Sequence, residues 1–330
     1  MGYGAGNVVT GIHNVGIGYQ TLGLAGGGCN NIAVGCGTLY SVSTGAYNVA
    51  LGPLAARTLT TGSNNIAIGY QALCLSTIGN NNFAAGYTAL ASNTTGSGNV
   101  AIGCQALNSN TIGVGNFAAG YLALSANTTG SGNVAIGYGA LQNAKTGVNN
   151  VAIGCCTLLI TSGTNNLAIG YKALISNTYG CNNVAIGISG LNANTKGCSN
   201  IAAGGYALYN NTCGCFNVAL GTYSLYNNCT GSGNFAQGFA AMYNNRGCNN
   251  FAQGYCALYN NCSGCGNFAQ GFRAMCGPSN AYHNFAQGTN IMTCVTIYGI
   301  CNNFAQGYHT LYCMRSGANN FAQGTCAMSY

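Results

Sequence analysis

From Asn14 to Asn320 one short phrase of apolar, small and polar residues recurs: Asn, an apolar residue, Ala, a variable residue, Gly. Counting the Asn as position zero, the chain holds 19 copies, and 15 of the 18 intervals between them are 17 residues, two are 16 and one is 19. Position +1 is always Val, Ile, Leu or Phe; +2 is Ala except at Gly16; +4 is always Gly; +8 is Leu or Met except at Ala56. Apolar residues at +1 and +3 flanking a small +2 have the period of a strand. Glycine at +4, and a second glycine three residues before the anchor in 17 of the 19 copies, mark corners where a positive φ is expected. Phrases such as Asn93-Thr94-Thr95-Gly96 are turn chemistry. Two glycines per unit, each costing about 1 kcal/mol inside a helix, argue against helices. Seventeen residues is also shorter than the helix-pair repeats of ~33.

One unit therefore reads as one coil: a short strand, a glycine corner, a second short strand and a turn. A single coil cannot bury its own apolar face, but stacked coils share a core. The expected fold is all-β, a parallel β-solenoid, or β-roll, of about 19 coils with a 17-residue repeat. At ~4.8 Å per coil it makes a rod on the order of 90 Å long. The expected organisation is a lead-in partial coil over 1–13, coils with a mainly aliphatic core over 14–233, and Phe/Gln coils over 234–330, all one continuous repeat domain.

Side-chain volumes at +1 and +3 compensate. Val100 goes with Ile102, whereas Phe83 and Phe117 go with Ala85 and Ala119. Close packing on a shared face demands this, so +1 and +3 are expected to point inward. The near-invariant Ala at +2 would then face outward against a packed neighbour; the competing readings are that it faces a thin core or reflects repeat duplication.

Identical positions stack into columns. The anchors Asn234, Asn250, Asn267, Asn284, Asn303 and Asn320 belong to a column of amides able to hydrogen-bond along itself. The last six coils all read Asn-Phe-Ala-Gln-Gly. Phe235, Phe251, Phe268, Phe285, Phe304 and Phe321 are expected to form one column. Gln237, Gln253, Gln270, Gln287, Gln306 and Gln323 form an amide ladder on the same strand face, in a core or at a seam between chains.

Composition sharpens the functional reading. The 330 residues include 54 Gly, 7 Lys plus Arg, and no Asp or Glu. This is a neutral surface of Asn, Thr, Ser and Gly. Seven dispersed cations make no basic patch, so nucleic acid is not an expected partner. Gly or Asn interrupts every apolar run long before the ~20 residues of a membrane-spanning helix. No acid is present to orient a histidine or serve as a general base, so no catalytic, cofactor-binding or metal site is assigned. His13, His283 and His309 read as surface turn residues. Of the 20 Cys, seven lie two residues before an anchor, where other coils carry Ser or Thr. They read as small turn residues. Disulfides between columns, Cys213 with Cys229 or Cys262 with Cys276, remain an alternative, and Cys213-x-Cys215 and Cys262-x-x-Cys265 lack the paired spacing of a zinc module. Tyr recurs at +5 and at +9; Tyr209, Tyr226, Tyr243, Tyr259 and Tyr312 of the +9 column are the candidate surface contact, with corner packing as the alternative. Asn93, Asn127, Asn210, Asn228 and Asn261 sit in glycosylation sequons. Thr94, Thr111 and Thr128 share a column that Lys145 and Ser162 interrupt, which argues against an ice-binding array.

The phrase Asn-Val-Ala-Ile-Gly-Tyr with Asn-Thr-Thr-Gly, repeated from Asn14 onward, resembles the head repeats of trimeric autotransporter adhesins and related repeats of phage tail fibres and bacterial surface fibres. The resemblance implies a left-handed β-roll, three chains side by side, and an extracellular adhesive or spacer role. The adhesin head unit is nearer 14 residues, and this chain shows no coiled-coil stalk or membrane anchor. Together these readings give a non-catalytic, extracellular or cell-surface fibre or adhesin component, or a virion tail fibre. It would associate with itself as a homotrimer or an end-to-end filament. The alternative is a module that binds glycan or a receptor through its Tyr and Asn columns.

Overall fold

The computed structural model describes residues 3–6, 10–277, 280–293, 300–312 and 317–328. Among these, every regular element is a strand. Contacts divide the chain into two compact units, Met1–Thr164 and Asn165–Tyr330. In the first, three-residue strands from Val15–Ile17 to Val151–Ile153 pair in chain order, all parallel. In the second, strands from Leu167–Ile169 to Phe321–Gln323 do the same. The register advances one sequence unit per strand: Val134, Ala135 and Ile136 face Val151, Ala152 and Ile153. Each unit is thus a parallel β-solenoid wound one coil per repeat. At the 233/234 change of composition the ladder continues, with Val218, Ala219 and Leu220 paired to Phe235, Ala236 and Gln237.

The expected parity of the strand is reversed. Ala at +2 is buried throughout, whereas +1 and +3 are half-buried or exposed. Ile102 and Ile136 keep 42% and 38% of their surface, while Ala101 and Ala135 keep none. The interior is thin, and the methyl at +2 lies against positions +7 and +8 of its own coil. At Gly16, the one coil without the methyl, a Cβ would come 3.1 Å from Thr21 Oγ1 and 3.2 Å from Leu22 Cδ1. The space there is tight even for a methyl and has no room for a larger side chain. The core is therefore Ala at +2, small residues such as Ala106 and Ala123 at +7, and fully buried Leu at +8, from Leu39 to Leu225. The aliphatic and Phe residues assigned to the core stand outside it.

The second expected strand is also absent as such. Positions +6 and +8 both take left-handed backbone, Gln105 at φ 58° and Leu107 at φ 51° for example. A run with such residues at alternate positions cannot extend. It still bonds from coil to coil: Leu107 N–H donates to Ala123 O at 3.0 Å and Gln105 N–H to Tyr87 O at 2.9 Å. A left-handed β-carbon is disfavoured by roughly 1–2 kcal/mol per residue. The full burial of the Leu side chain, worth ~1.5–3 kcal/mol, offsets it.

The two glycine columns have different causes. Gly103 at +4 has φ 124°, the expected left-handed corner. Gly96, three residues before its anchor, does not lie in the positive-φ region; a Cβ there would collide with the Gly113 carbonyl of the next coil. Close approach of backbones, not φ, selects this second column. Where Ala281 and Ile300 replace it, the chain forms the extra parallel pair Ala281–Tyr282 with Ile300–Cys301.

Two amide columns complete the interior. At position zero, Asn133 Nδ2 donates to Asn116 Oδ1 (3.1 Å) and to Gly147 O (2.8 Å), and Asn133 N–H donates to the same Asn116 Oδ1 (3.0 Å). The pattern repeats along each unit, so each amide uses both donors and both lone pairs without water. The expected Asn ladder is present, buried in all but the end coils. A second ladder runs at +11, where Asn110 donates to Asn93 (2.8 Å) and Asn127 to Asn110 (2.7 Å).

Candidate functional site

The outward face of the strand ladder is built by the parity just described. In the first unit it presents Val, Ile and Phe at +1 with Ile, Leu, Val or Ala at +3, carries no charge, and leaves many of these side chains more than a third exposed. In the second unit it stays aliphatic through Val218 and Leu220 and from Phe235 onward becomes the Phe and Gln columns. Phe235, Phe251, Phe268, Phe285, Phe304 and Phe321 stack at 4.8–5.0 Å with planes within 8°. Beside them Gln253, Gln270, Gln287, Gln306 and Gln323 each donate Nε2 to the Oε1 of the glutamine one coil earlier, at 2.9–3.2 Å, starting from Gln237. Both columns share one strand face, as expected, and that face is outside the chain's own core.

The Tyr columns lie on the opposite side of the glycine corner. Tyr209, Tyr226, Tyr243 and Tyr259 stack in series at 5.1, 4.9 and 5.0 Å with planes within 6°. Tyr312 is not in this stack: Cys276 and Thr293 occupy the intervening +9 positions, and its ring lies 4.5 Å from His309. At +5, Tyr70 stacks on Tyr87 and Tyr121 on Tyr138, both at 5.4 Å. Burial first, then the neighbouring phenols Tyr243 and Tyr209, pushes the Tyr226 hydroxyl above the ordinary tyrosine value. Burial and then Tyr243 do the same to Tyr259. Stacking covers the faces of the inner rings and leaves their edges outward. A sugar docks on an open ring face, and this column offers one only at its ends.

The cysteine column has a structural purpose. Cys198 Sγ accepts the backbone N–H of Cys181 at 3.2 Å, as Ser131 Oγ accepts that of Val114 at 3.0 Å. Ser and Cys interchange there because both are small acceptors aimed at the previous coil. Cys213, Cys229, Cys262 and Cys276 are free thiols, so neither candidate disulfide is formed. Among the described residues no three His or Cys side chains converge as a metal set would. His13 and His283 occupy the left-handed position before their anchors, and His309 Nε2 lies 3.1 Å from Asn290 Nδ2 at +6.

Four of the five sequon asparagines, Asn93, Asn127, Asn228 and Asn261, are fully buried in the +11 ladder and cannot present an amide to a glycosylating enzyme. The signal that would have found this ladder was the recurrence of Asn eleven residues after the anchor. Thr94 and Thr111 donate their hydroxyls to Thr111 O and Thr128 O of the following coils, at 3.0 and 2.9 Å. A third amide row on the surface, Asn210, Asn227, Asn244 and Asn260, was also missed. It donates toward the later coil, at 2.6–2.8 Å, opposite to the inner ladders.

No helix among the described residues is long and apolar enough to cross a membrane. No protein-family model and no curated protein matches the chain.

Proposed function

We propose that the protein is a structural, non-catalytic component of an extracellular fibre or adhesin, and that it associates with further copies of itself through the outward face of its strand ladder. One observation carries this reading. The volume compensation between +1 and +3, with Phe83 beside Ala85 and Val100 beside Ile102, lies on a face that the chain's own core does not touch. In the coils before Phe235, such compensation on an open surface has no cause within one chain, whereas a flat partner packed against it supplies one. There the face is uncharged, apolar and regular at one coil spacing, the composition of an interface core and not of a solvated surface. The resemblance to trimeric adhesin heads gives three chains as the expected number.

Val100→Lys with Ile136→Lys tests this. Each substitution sits on the outer face and leaves the interior intact. The unaltered protein is expected to sediment as an oligomer at micromolar concentration, and the doubly substituted one as a folded monomer. A monomeric parent protein, or unchanged association of the variant, refutes the proposal.

A further inference from the structure

An open groove of about 770 Å³ crosses several coils of the second unit. Tyr226, Tyr243 and Tyr259 of the +9 column form one wall; Phe239, Tyr255 and Phe272 of the +5 column form the other. Its floor is position +6. In the two preceding coils that position holds Tyr206 and Tyr223, stacked at 5.4 Å and each 5.7 Å from the +9 tyrosine of its own coil. In the next two it holds Ala240 and Cys256. The groove is the space those two replacements leave. Tyr223 closes one end, its ring edge-on to Phe239 at 87°. Arg273 stands exposed at the other, where Cys276 also lines the groove.

The walls select the ligand. Neighbouring rings stack at 4.9 and 5.0 Å along one wall and at 5.4 and 5.3 Å along the other. Ring edges and hydroxyls, rather than ring faces, therefore line the space. Those edges carry the positive part of the aromatic quadrupole and favour the face of another π system. A flat, electron-rich molecule lying along the groove meets such edges on both sides. Arg273 supplies a positive charge at one end, and the chain has no Asp or Glu to oppose an anion. We infer that the groove binds an elongated, planar, anionic aromatic molecule aligned from coil to coil. Its length spans two to three coil spacings, roughly 10–15 Å, and its acidic group lies at Arg273.

The test uses the full chain and a carboxylated oligothiophene dye whose emission rises when it is held planar. A saturable rise is expected. Ala240→Tyr refills the floor as Tyr223 does one coil earlier, on the same left-handed backbone (φ 51° and 59°), and should weaken binding at least ~10-fold with an unchanged melting temperature. Arg273→Gln lies on the surface, away from the core, and should weaken the dye about tenfold at low salt. It should leave thioflavin T, a planar cation, bound no more weakly than before. Three results overturn the inference: no saturable response, full-affinity binding to the Ala240→Tyr protein, or an affinity for the anionic dye that is indifferent to Arg273.

Discussion

At the scale of single residues, the interior is governed by what an amide can satisfy and what a methyl can fill. The +11 ladder shows this at its broken end. Asn127 Oδ1 is buried without a partner because the next coil carries Ala144 where Asn93, Asn110 and Asn127 precede it. An asparagine at 144 would donate to that oxygen and to Gly147 O, as Asn93 donates to Gly96 O beside Asn82. Ala144→Asn should therefore stabilise the protein by about 0.5–1.5 kcal/mol, visible as a higher urea midpoint at unchanged slope. The opposite sign is expected at Ala135. Its methyl fills the gap to the +7 and +8 residues, so Ala135→Val should destabilise by roughly 1–3 kcal/mol through overpacking. A neutral result in the same titration would show that the interior has slack.

At the scale of the element, amide ladders differ in worth according to burial and the bonds each rung makes. Gln270 donates to Gln253 and accepts from Gln287, one bond to each neighbour where an inner asparagine makes two donations and two acceptances, and it does so on the outer face. Water can replace both bonds in a free chain. Gln270→Leu should then cost less than about 1 kcal/mol, measured by the same unfolding curve on monomeric protein. A larger loss would mean that the ladder orders the strand by itself. These columns were legible in the sequence because a fixed period fixes register: the Asn ladder, the Gln ladder and the shared face of Phe and Gln all follow from the 17-residue count. Which face is inside was not legible. Parity is read from contrast between apolar and polar positions, and Val-Ala-Ile is apolar on both sides of a three-residue strand. Size was the usable contrast, since only Ala recurs at +2. Leu107 and its equivalents were misread as strand because a left-handed leucine has no local signature; its conformation is imposed by packing across the coil. The aromatic groove was legible only in part. The Tyr columns recur in the sequence, but the space depends on Ala240 and Cys256 interrupting a neighbouring column.

At the scale of the molecule, the missing carboxylates set an unusual pH response. Acid unfolding of most proteins follows protonation of paired Asp and Glu, and this chain has neither. Its inner asparagines cannot become aspartates without losing the two donations each makes, so the buried columns alone exclude acids from the interior. Titration should instead be felt on the alkaline side. Tyr226 and Tyr259 have raised values in the fold, first through burial and then through neighbouring phenols. A phenol whose folded value exceeds its unfolded value, near 10, ionises more readily once the chain opens. Its contribution is fully present below the unfolded value and is lost as pH climbs from there to the folded value. The melting temperature should be nearly flat from about pH 4 to pH 8, decline as the Cys74, Cys198 and Cys256 thiols, also pushed up by burial, ionise first in the unfolded chain, and fall further above about pH 10. In the same interval the phenolate absorbance of the column tyrosines should appear later than that of the unfolded chain. Tyr226→Phe with Tyr259→Phe keeps the stacked rings and removes both protons, so it should blunt the alkaline fall and leave the plateau unchanged. A steep loss of stability on the acid side would contradict this account, because the side chains offer no carboxylate to cause it.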